Sequence, residues 1–356
     1  SVAALLTRDA GHNITGVTLR LHDKQGCGSG DDAQQAADIC AQMGAEHRIW
    51  DGSPRFCASV MDHFAQSYLQ GRTPNPCINC NRYLKFSFLL DKALAEGADF
   101  VVTGHYARVE QREDGRWLLK KGVSEQKDQS YVLYTLTQHQ LAHLRLPLGG
   151  YTKEEIREIA RSAGFSNADK PDSQDICFVP DGAYARFIWE HTGHSPEPGD
   201  FIDMDGCILG RHGGIECYTI GQRKGIGISG RHPYYVVAKN ADRNTVMLGE
   251  DEDLFRTELY ADDVNWIAID ELKEPLRCAA RTRYHQAETP CTVYPQGDRV
   301  RVEFDSPIRA ITAGQAVVFY DGASKTYQAY RGGIALSDYL FGEFVLLLGE
   351  QNVILK

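Results

Sequence analysis

Three cysteines carry the reactive chemistry this sequence offers. Cys77 and Cys80 stand at Cys-x-x-Cys spacing within Gly71-Arg72-Thr73-Pro74-Asn75-Pro76-Cys77-Ile78-Asn79-Cys80-Asn81, and Cys177 lies far along the chain in Ser173-Gln174-Asp175-Ile176-Cys177-Phe178. A thiol attacks as its thiolate, so a reactive cysteine needs a fixed, partly polar setting. Pro74 and Pro76 flank Asn75 and predict a loop rather than a helix there. Phe86, Leu89, Leu90, Ala93 and Leu94 then form the apolar stripe of a helix closed by Gly97. Cys177 is expected to fold back and face Cys80. The same spacing also opens zinc sites and redox pairs. A structural zinc takes about four ligands, and no second Cys-x-x-Cys or His-x-His accompanies this pair. Sulfur chemistry and metal or structural use both stand at this point.

The elements that must hold these thiols alternate. The chain opens in a helix (Val2, Ala3, Leu5, Leu6) ended by Gly11, followed by a strand over Thr15 to Leu21. A Gly/Asp-rich loop, Gly26 to Asp32, leads to a helix from Ala33 to Met43 closed by Gly44, then to a strand, Glu46 to Trp50. Ser53 is read as the cap of a helix with Pro54 at its first position and Phe56, Val60, Met61, Phe64 and Tyr68 on its apolar face. Phe100 to Thr103 is a short apolar run that ends in Gly104-His105-Tyr106. Strands alternating with helices predict a parallel, doubly wound sheet. Such sheets bind ligands beyond the C-terminal ends of their strands, where Gly104 would let a flat ligand approach closely. Such a fold ordinarily opens with a strand and a phosphate-binding turn, and both are expected to precede residue 1.

Trp117 to Lys121 and Ser130 to Leu136 read as extended, and Thr152-Lys153-Glu154-Glu155 as a capping box for a helix stopped by Gly164. A further helix is expected near Ala183 to His191. After His194-Ser195-Pro196, Gly and Pro punctuate short alternating runs. Tyr234 to Lys239 and Thr245 to Leu248 form a hairpin; Val264 to Ile269, Cys278 to Tyr284, Cys291 to Tyr294, Arg299 to Phe304 and Ala316 to Tyr320 are further strands of small barrels.

The totals set bounds. The 356 residues suffice for two or three domains. No apolar run is long enough to span a membrane, and no basic region with an apolar core marks a leader. Ten cysteines without a leader point to a reducing, cytoplasmic setting. Most of them, Cys40 and Cys57 for example, are read as core packing. The net charge of −10 argues against a general nucleic-acid coat but leaves room for one RNA groove. Candidate basic clusters are Lys120-Lys121, Arg223-Lys224 and Arg281-Thr282-Arg283.

Six stretches in one order resemble a known family. They are Arg72 to Asn81, Thr103-Gly104-His105-Tyr106, Lys127-Asp128-Gln129-Ser130-Tyr131, Asp172 to Phe178, Gly221-Gln222-Arg223-Lys224-Gly225 and Arg281-Thr282-Arg283-Tyr284. Together, from Ser1 to about Gly333, they resemble the tRNA-specific 2-thiouridylases, the MnmA type within the ATP-pyrophosphatase superfamily. The resemblance implies an α/β domain with a doubly wound parallel sheet (residues 1–190), a small central β-rich domain (191–253) and a C-terminal β-barrel (254–335), followed by a divergent tail (336–356). It implies ATP with Mg²⁺ as the activator of the C2 oxygen of the wobble uridine, position 34, and a cysteine persulfide as sulfur carrier. Cys80 would be the nucleophile and Cys177 the persulfide carrier. Asn75, Pro76 and Cys77 would border the target base. Ser1, Leu19 and Gly104 would belong to the ATP site, and Lys127, Asp128, Gln129, Arg283 and Tyr284 would contact tRNA. The implied partners are tRNA and a persulfide donor, a cysteine desulfurase or sulfur relay protein, and no membrane.

Two departures are visible. The family's Ser-Gly-Gly-Val-Asp-Ser-Ser loop has no full counterpart; Ser1 and the run after it resemble its last serine and the following helix. Many relatives carry Asp where this chain has Cys77, so Cys77, Cys80 and Cys177 form a three-thiol set that suits an iron–sulfur cluster with one open iron. The alternatives are therefore another RNA thiolase of the superfamily that uses a cluster, and a catalytically silent RNA-binding relative without the phosphate loop.

Overall fold

The computed structural model describes residues 1–22, 30–169 and 176–321, with the backbone of two short strands at 329–330 and 335–336. Most of the Gly26 to Asp32 loop, the Asp172 to Asp175 part of the Cys177 stretch and the tail beyond Leu336 lie outside the described residues.

The first part is α/β. Helix α1 (Val2–Asp9) precedes strand β1 (Thr15–Arg20), helix α2 (Gly30–Gln42) and strand β2 (Glu46–Asp51). β1 and β2 pair in parallel from Thr15↔Glu46 to Arg20↔Asp51. Helix α3 (53–69) and helix α4 (76–95) follow, each with a stretch of wider, π-helical turns, at Cys57–Met61 and Cys80–Leu89. Strand β3 (Val101–Val102) leads into the antiparallel hairpin β4 (Ala107–Gln111) and β5 (Trp117–Lys121). Helix α5 (Gln138–Ala142) and strand β6 (Leu144–Arg145) come next, and β6 pairs in parallel with β3. Helices α6 (Lys153–Ser162) and α7 (Tyr184–Thr192) complete this part. Val17 and Leu19 of β1, Leu90 and Ala93 of α4 and Val101 of β3 share one apolar cluster, which joins the two parallel pairs.

The central part is a four-stranded sheet in the order β8 (Ile208–His212), β7 (Gly199–Ile202), β10 (Thr245–Gly249), β9 (Tyr235–Asn240). The expected hairpin is β9–β10, and Asn244 takes the left-handed turn position at φ 48°. The last part is a seven-stranded sheet of β11 (Phe255–Ala261), β12 (Leu276–Arg281), β13 (Thr289–Gln296), β14 (Arg299–Arg309), β15 (Val318–Tyr320), β16 (Ala329–Tyr330) and β17 (Ala335–Leu336), all neighbours antiparallel.

The three parts are not beads on a string. One buried cluster contains Ile78 and Phe86 of α4, Tyr131, Leu133 and Leu144 from the α/β part, and Ile267, Ala316, Val318 and Tyr320 from the last part. Each fully buried large apolar side chain there is worth roughly 1.5–3 kcal/mol over leaving it in water, so the α/β part and the last sheet stabilise each other.

Several local expectations are corrected. Helix α3 starts one residue early: Gly52 is the cap, and Ser53 gives its N–H and hydroxyl to Asp51 Oδ1 at 3.0 and 2.6 Å. Ser130–Leu133 is a 3₁₀ turn rather than extended, because the Asp128 carboxylate accepts from the Ser130 N–H and hydroxyl and curls the chain. Val264 to Ile269 is not a strand. Its carbonyls are taken by side chains: the Arg116 guanidinium bonds those of Trp266, Ile267 and Ile269, and Gln138 Nε2 bonds Ile267 at 3.0 Å. The Thr152 capping box has both of its bonds, Glu155 N–H to Thr152 Oγ1 at 3.3 Å and Thr152 N–H to the Glu155 carboxylate at 2.7 Å.

Candidate active site

The thiol pair sits on a helix, not in a loop. Asn75 takes an extended backbone (φ −101°, ψ 103°) and its side chain accepts from the Cys77 N–H at 3.1 Å, so Asn75 is the N-cap of α4. Pro76 then occupies the first helical position, where its missing N–H costs nothing and its fixed φ suits the helix. Cys77 and Cys80 fall in the first turns, three residues apart and on one face. Cys77 is exposed and Cys80 half-buried. The first turn of a helix favours an anion nearby. From Cys80 the helix widens to π-type turns, a feature frequent at functional sites.

Cys177 is set by its neighbour. Phe178 is buried edge-on against Phe56 and Phe64, at centroid distances of 5.7 and 5.3 Å, and tilts against Phe187 at 5.0 Å. The Val179 N–H closes a turn onto the Ile176 carbonyl at 2.8 Å. Cys80, Cys177 and Leu19 all pack against this one aromatic cluster, so the structure brings both thiols and the C-terminal end of β1 to a single core.

The segment leading to the helix is clasped from afar. The Thr73 N–H donates to the Ala313 carbonyl at 2.8 Å, and Gln315 Nε2 donates to the Thr73 carbonyl at 2.6 Å. Gly314 lies between, at φ +92°, and a Cβ there would stand 2.8 Å from the Thr73 nitrogen. Tyr131 reaches the same loop through its hydroxyl, bonded to the Ala316 carbonyl at 2.7 Å.

Gly104 follows β3 and is exposed. Among the described residues, a Cβ on it would meet Leu148 Cδ1 alone within 4 Å, at 3.5 Å. The protein itself leaves that face open. His105 beside it is buried, with Nδ1 2.8 Å from Thr103 Oγ1; burial first, and then the Lys85 charge, hold its pKa well below the ordinary histidine value, so the ring is neutral. Ser1 is exposed, and its hydroxyl accepts from the Asn167 amide at 3.3 Å.

The residues expected at the tRNA surface divide. Lys127 is half-exposed. Asp128 is buried: its carboxylate accepts from Gly122 N–H, Ser130 N–H and Ser130 hydroxyl, with Arg281 at 3.5 Å, and burial pushes its pKa up. Gln129 exchanges two bonds with Tyr106, accepting at Oε1 and donating its N–H, both at 2.9 Å, and so pins the Gly104-His105-Tyr106 corner. Arg283 donates to the carbonyls of Ile220 and Ala310 and to Thr312 Oγ1, at 3.1, 3.0 and 2.7 Å. Tyr284 packs edge-on to Tyr131 at 5.9 Å. Two of the basic clusters are internal: Lys120 pairs with Glu110, Lys121 with Glu288, and Arg281 with Asp128 and Glu288. Arg223 and Lys224 are exposed.

Sequence reasoning passed over one residue and one long-range contact. Asn81, beside Cys80, is buried and its Nδ2 donates to the Val132 carbonyl at 2.9 Å, tying the thiol helix to the turn after Gln129. A buried polar residue in the second turn of an apolar helix was the available signal. The Thr73–Gly314 clasp has no local signal.

The pattern described as a tRNA methyl transferase HUP domain matches residues 1–181, a tRNA methyl transferase PRC-barrel domain matches 185–250, and an aminomethyltransferase beta-barrel domain matches 256–324. The chain is 46% identical over 90% of its length to the tRNA-specific 2-thiouridylase MnmA of Symbiobacterium thermophilum, covering 86% of that protein. It is 45% identical to the protein of that name from Acetivibrio thermocellus, with 90% of this chain and 93% of the relative covered, and 46% identical to that of Clostridioides difficile, with 90% and 92% covered.

Proposed function

We propose that this chain, which belongs to the MnmA family of tRNA-specific 2-thiouridylases, replaces the C2 oxygen of the wobble uridine of tRNA with sulfur. It is a tRNA sulfurtransferase, and similarity over nine-tenths of the chain does not favour a silent RNA-binding relative. One observation carries the site assignment: Cys80 and Cys177, remote in sequence, pack against the same aromatic core beside the end of β1.

An amide-type oxygen leaves poorly. ATP, aided by Mg²⁺, supplies its activation as an adenylate. Leu19 and the open face of Gly104 suit the adenine end. Asn75, Pro76 and Cys77, at the start of the thiol helix, would border the base; Cys77 is exposed there, Asn75 half-buried and Pro76 buried. Cys177 carries the sulfane sulfur, received from a persulfide donor. The terminal sulfur bonds to C2. The Cys80 thiolate then attacks the Cys177 sulfur; the S–S bond to the transferred atom breaks, and that electron pair forms the C=S bond as AMP leaves with the former oxygen. A Cys80–Cys177 disulfide remains, and an external dithiol reduces it. Lys127, Arg223, Lys224 and Tyr284 would meet tRNA, while Asp128, Gln129 and Arg283 position the surfaces that do.

The matched patterns carry the words methyl transferase, the relatives the word thiouridylase. Mass analysis of nucleosides from tRNA treated with enzyme, ATP and a persulfide donor separates them. Oxygen-to-sulfur exchange is expected; added methyl groups would overturn the reading. Cys80→Ser and Cys177→Ser should each abolish 2-thiouridine while tRNA still binds. Full activity in either would remove that residue from the mechanism.

A further inference from the structure

Cys57 and Asp62 on α3 and His191 on α7 have no part in the reaction above. Cys57, a core residue by its sequence pattern, is half-buried, and its Sγ lies 3.8 Å from Asp62 Oδ1. Residues five apart on an α-helix point about 140° away from each other, at about 100° per residue. Here α3 widens to π-type turns over Cys57–Met61, and the Asp62 N–H bonds the Cys57 carbonyl. That i→i+5 turn is what brings the two side chains onto one face. The third group comes from another helix: His191, near the end of α7, places Nε2 2.6 Å from Asp62 Oδ1. Its ring is stacked on Phe187 at 5.1 Å and 15°. Sulfur, carboxylate oxygen and imidazole nitrogen all fall within 4.8 Å of one another.

We propose that Cys57, Asp62 and His191 form a binding site for a thiophilic divalent transition metal of the zinc class, with solvent in the fourth position. Zinc takes sulfur at about 2.3 Å and nitrogen or oxygen at about 2.0–2.2 Å, which sets tetrahedral donor separations of roughly 3.3–3.8 Å. Small side-chain rotations bring the present separations to those values, and Asp62 is exposed enough to turn. The mixed sulfur and nitrogen set disfavours calcium and magnesium, which take oxygen. Burial, and then Asp62, push the Cys57 thiol up, so the incoming metal breaks the S–H bond and releases that proton to solvent without redox change. The ion would fasten α7, the helix following the Cys177 turn, to α3.

The test uses the full chain with Cys77, Cys80 and Cys177 replaced by Ser, prepared anaerobically and titrated with cobalt(II). One cobalt per chain with a thiolate-to-cobalt charge-transfer band is expected. Adding Cys57→Ser or His191→Gln should remove the band and weaken cobalt binding at least about tenfold. A band that survives both changes, or cobalt bound without one, means an adventitious ion only and overturns the site. Zinc should also raise the Tm of the unmodified chain more than that of Cys57→Ser; equal shifts overturn it independently, whether or not the triple variant folds.

Discussion

Cys77 occupies the exposed edge of the thiol helix, and its part in the chemistry can be read from a single substitution. Where the sulfur travels as a persulfide, Cys177 and Cys80 suffice, and Cys77→Ala should cost part of the activity through the fit of the base. Where three thiols hold an iron–sulfur cluster, the same change should abolish activity and bleach visible absorbance. The persulfide route is the one expected here, with an iron-free preparation active on a persulfide donor; activity seen solely after cluster reconstitution would overturn it. Lys239 gives a second prediction. Its Nζ donates to the Tyr218 carbonyl at 2.7 Å and lies over the Tyr68 ring. Burial, partly offset by Glu216 and Cys217, lowers its pKa from 10.5 to about 7. Between those two values the unfolded chain binds a proton that the native chain lacks, so this group makes stability rise with pH across that window. Below about pH 7 the native lysine is charged as well and its penalty is full. Lys239→Met should flatten the rise of Tm with pH over this window; an unchanged slope would show that the ammonium is better solvated than its surroundings suggest.

The helix start at Asn75 sets the direction of both thiols. Asn75→Ala removes the acceptor of the Cys77 N–H and should cost about 1 kcal/mol of stability, with a larger proportional loss of thiolation. Asn75→Asp keeps an acceptor and should restore the stability, as thermal melts would show. This element also marks where a sequence reading succeeds and fails. The stripe Phe86, Leu90, Ala93 revealed the helix body, and Thr152 with Glu155 revealed the start of α6, because each signal lies within one turn. The prolines around Asn75 suggested a loop, but Pro76 stands at the one helical position that welcomes it. Val264 to Ile269 has the alternation of a strand and pairs with no strand among the described residues, because Arg116 and Gln138, more than a hundred residues earlier, take its carbonyls. The resemblance named the thiols and their order. It did not reveal that Asp128 and Gln129 turn inward, since burial is a property of the assembled chain.

At the scale of the molecule, the last part of the chain braces the segment that leads into the thiol helix. Arg283 ties the central and last parts together through Ile220, Ala310 and Thr312. Arg283→Ala should therefore lower Tm while leaving the salt dependence of tRNA binding unchanged; a salt slope reduced by about one would instead make it a phosphate contact. Gly314→Ala forces a Cβ against Thr73 at a positive φ, a strain of about 1–3 kcal/mol. Thiolation should fall more than tRNA affinity in that variant, as single-turnover and filter-binding measurements would separate. The clasp also has a consequence in time. Thr73 and Gln315 are 242 residues apart in the chain. A ribosome adds about 5–20 residues per second, so Thr73 leaves it roughly 10–50 s before its partner is made. A nascent chain in that interval displays both helix thiols without the brace that sets them. Translation halted between Arg309 and Ala313 should thus yield an inert product rather than a weakened enzyme, and the maturing polypeptide stays chemically quiet until the ribosome has passed Gln315.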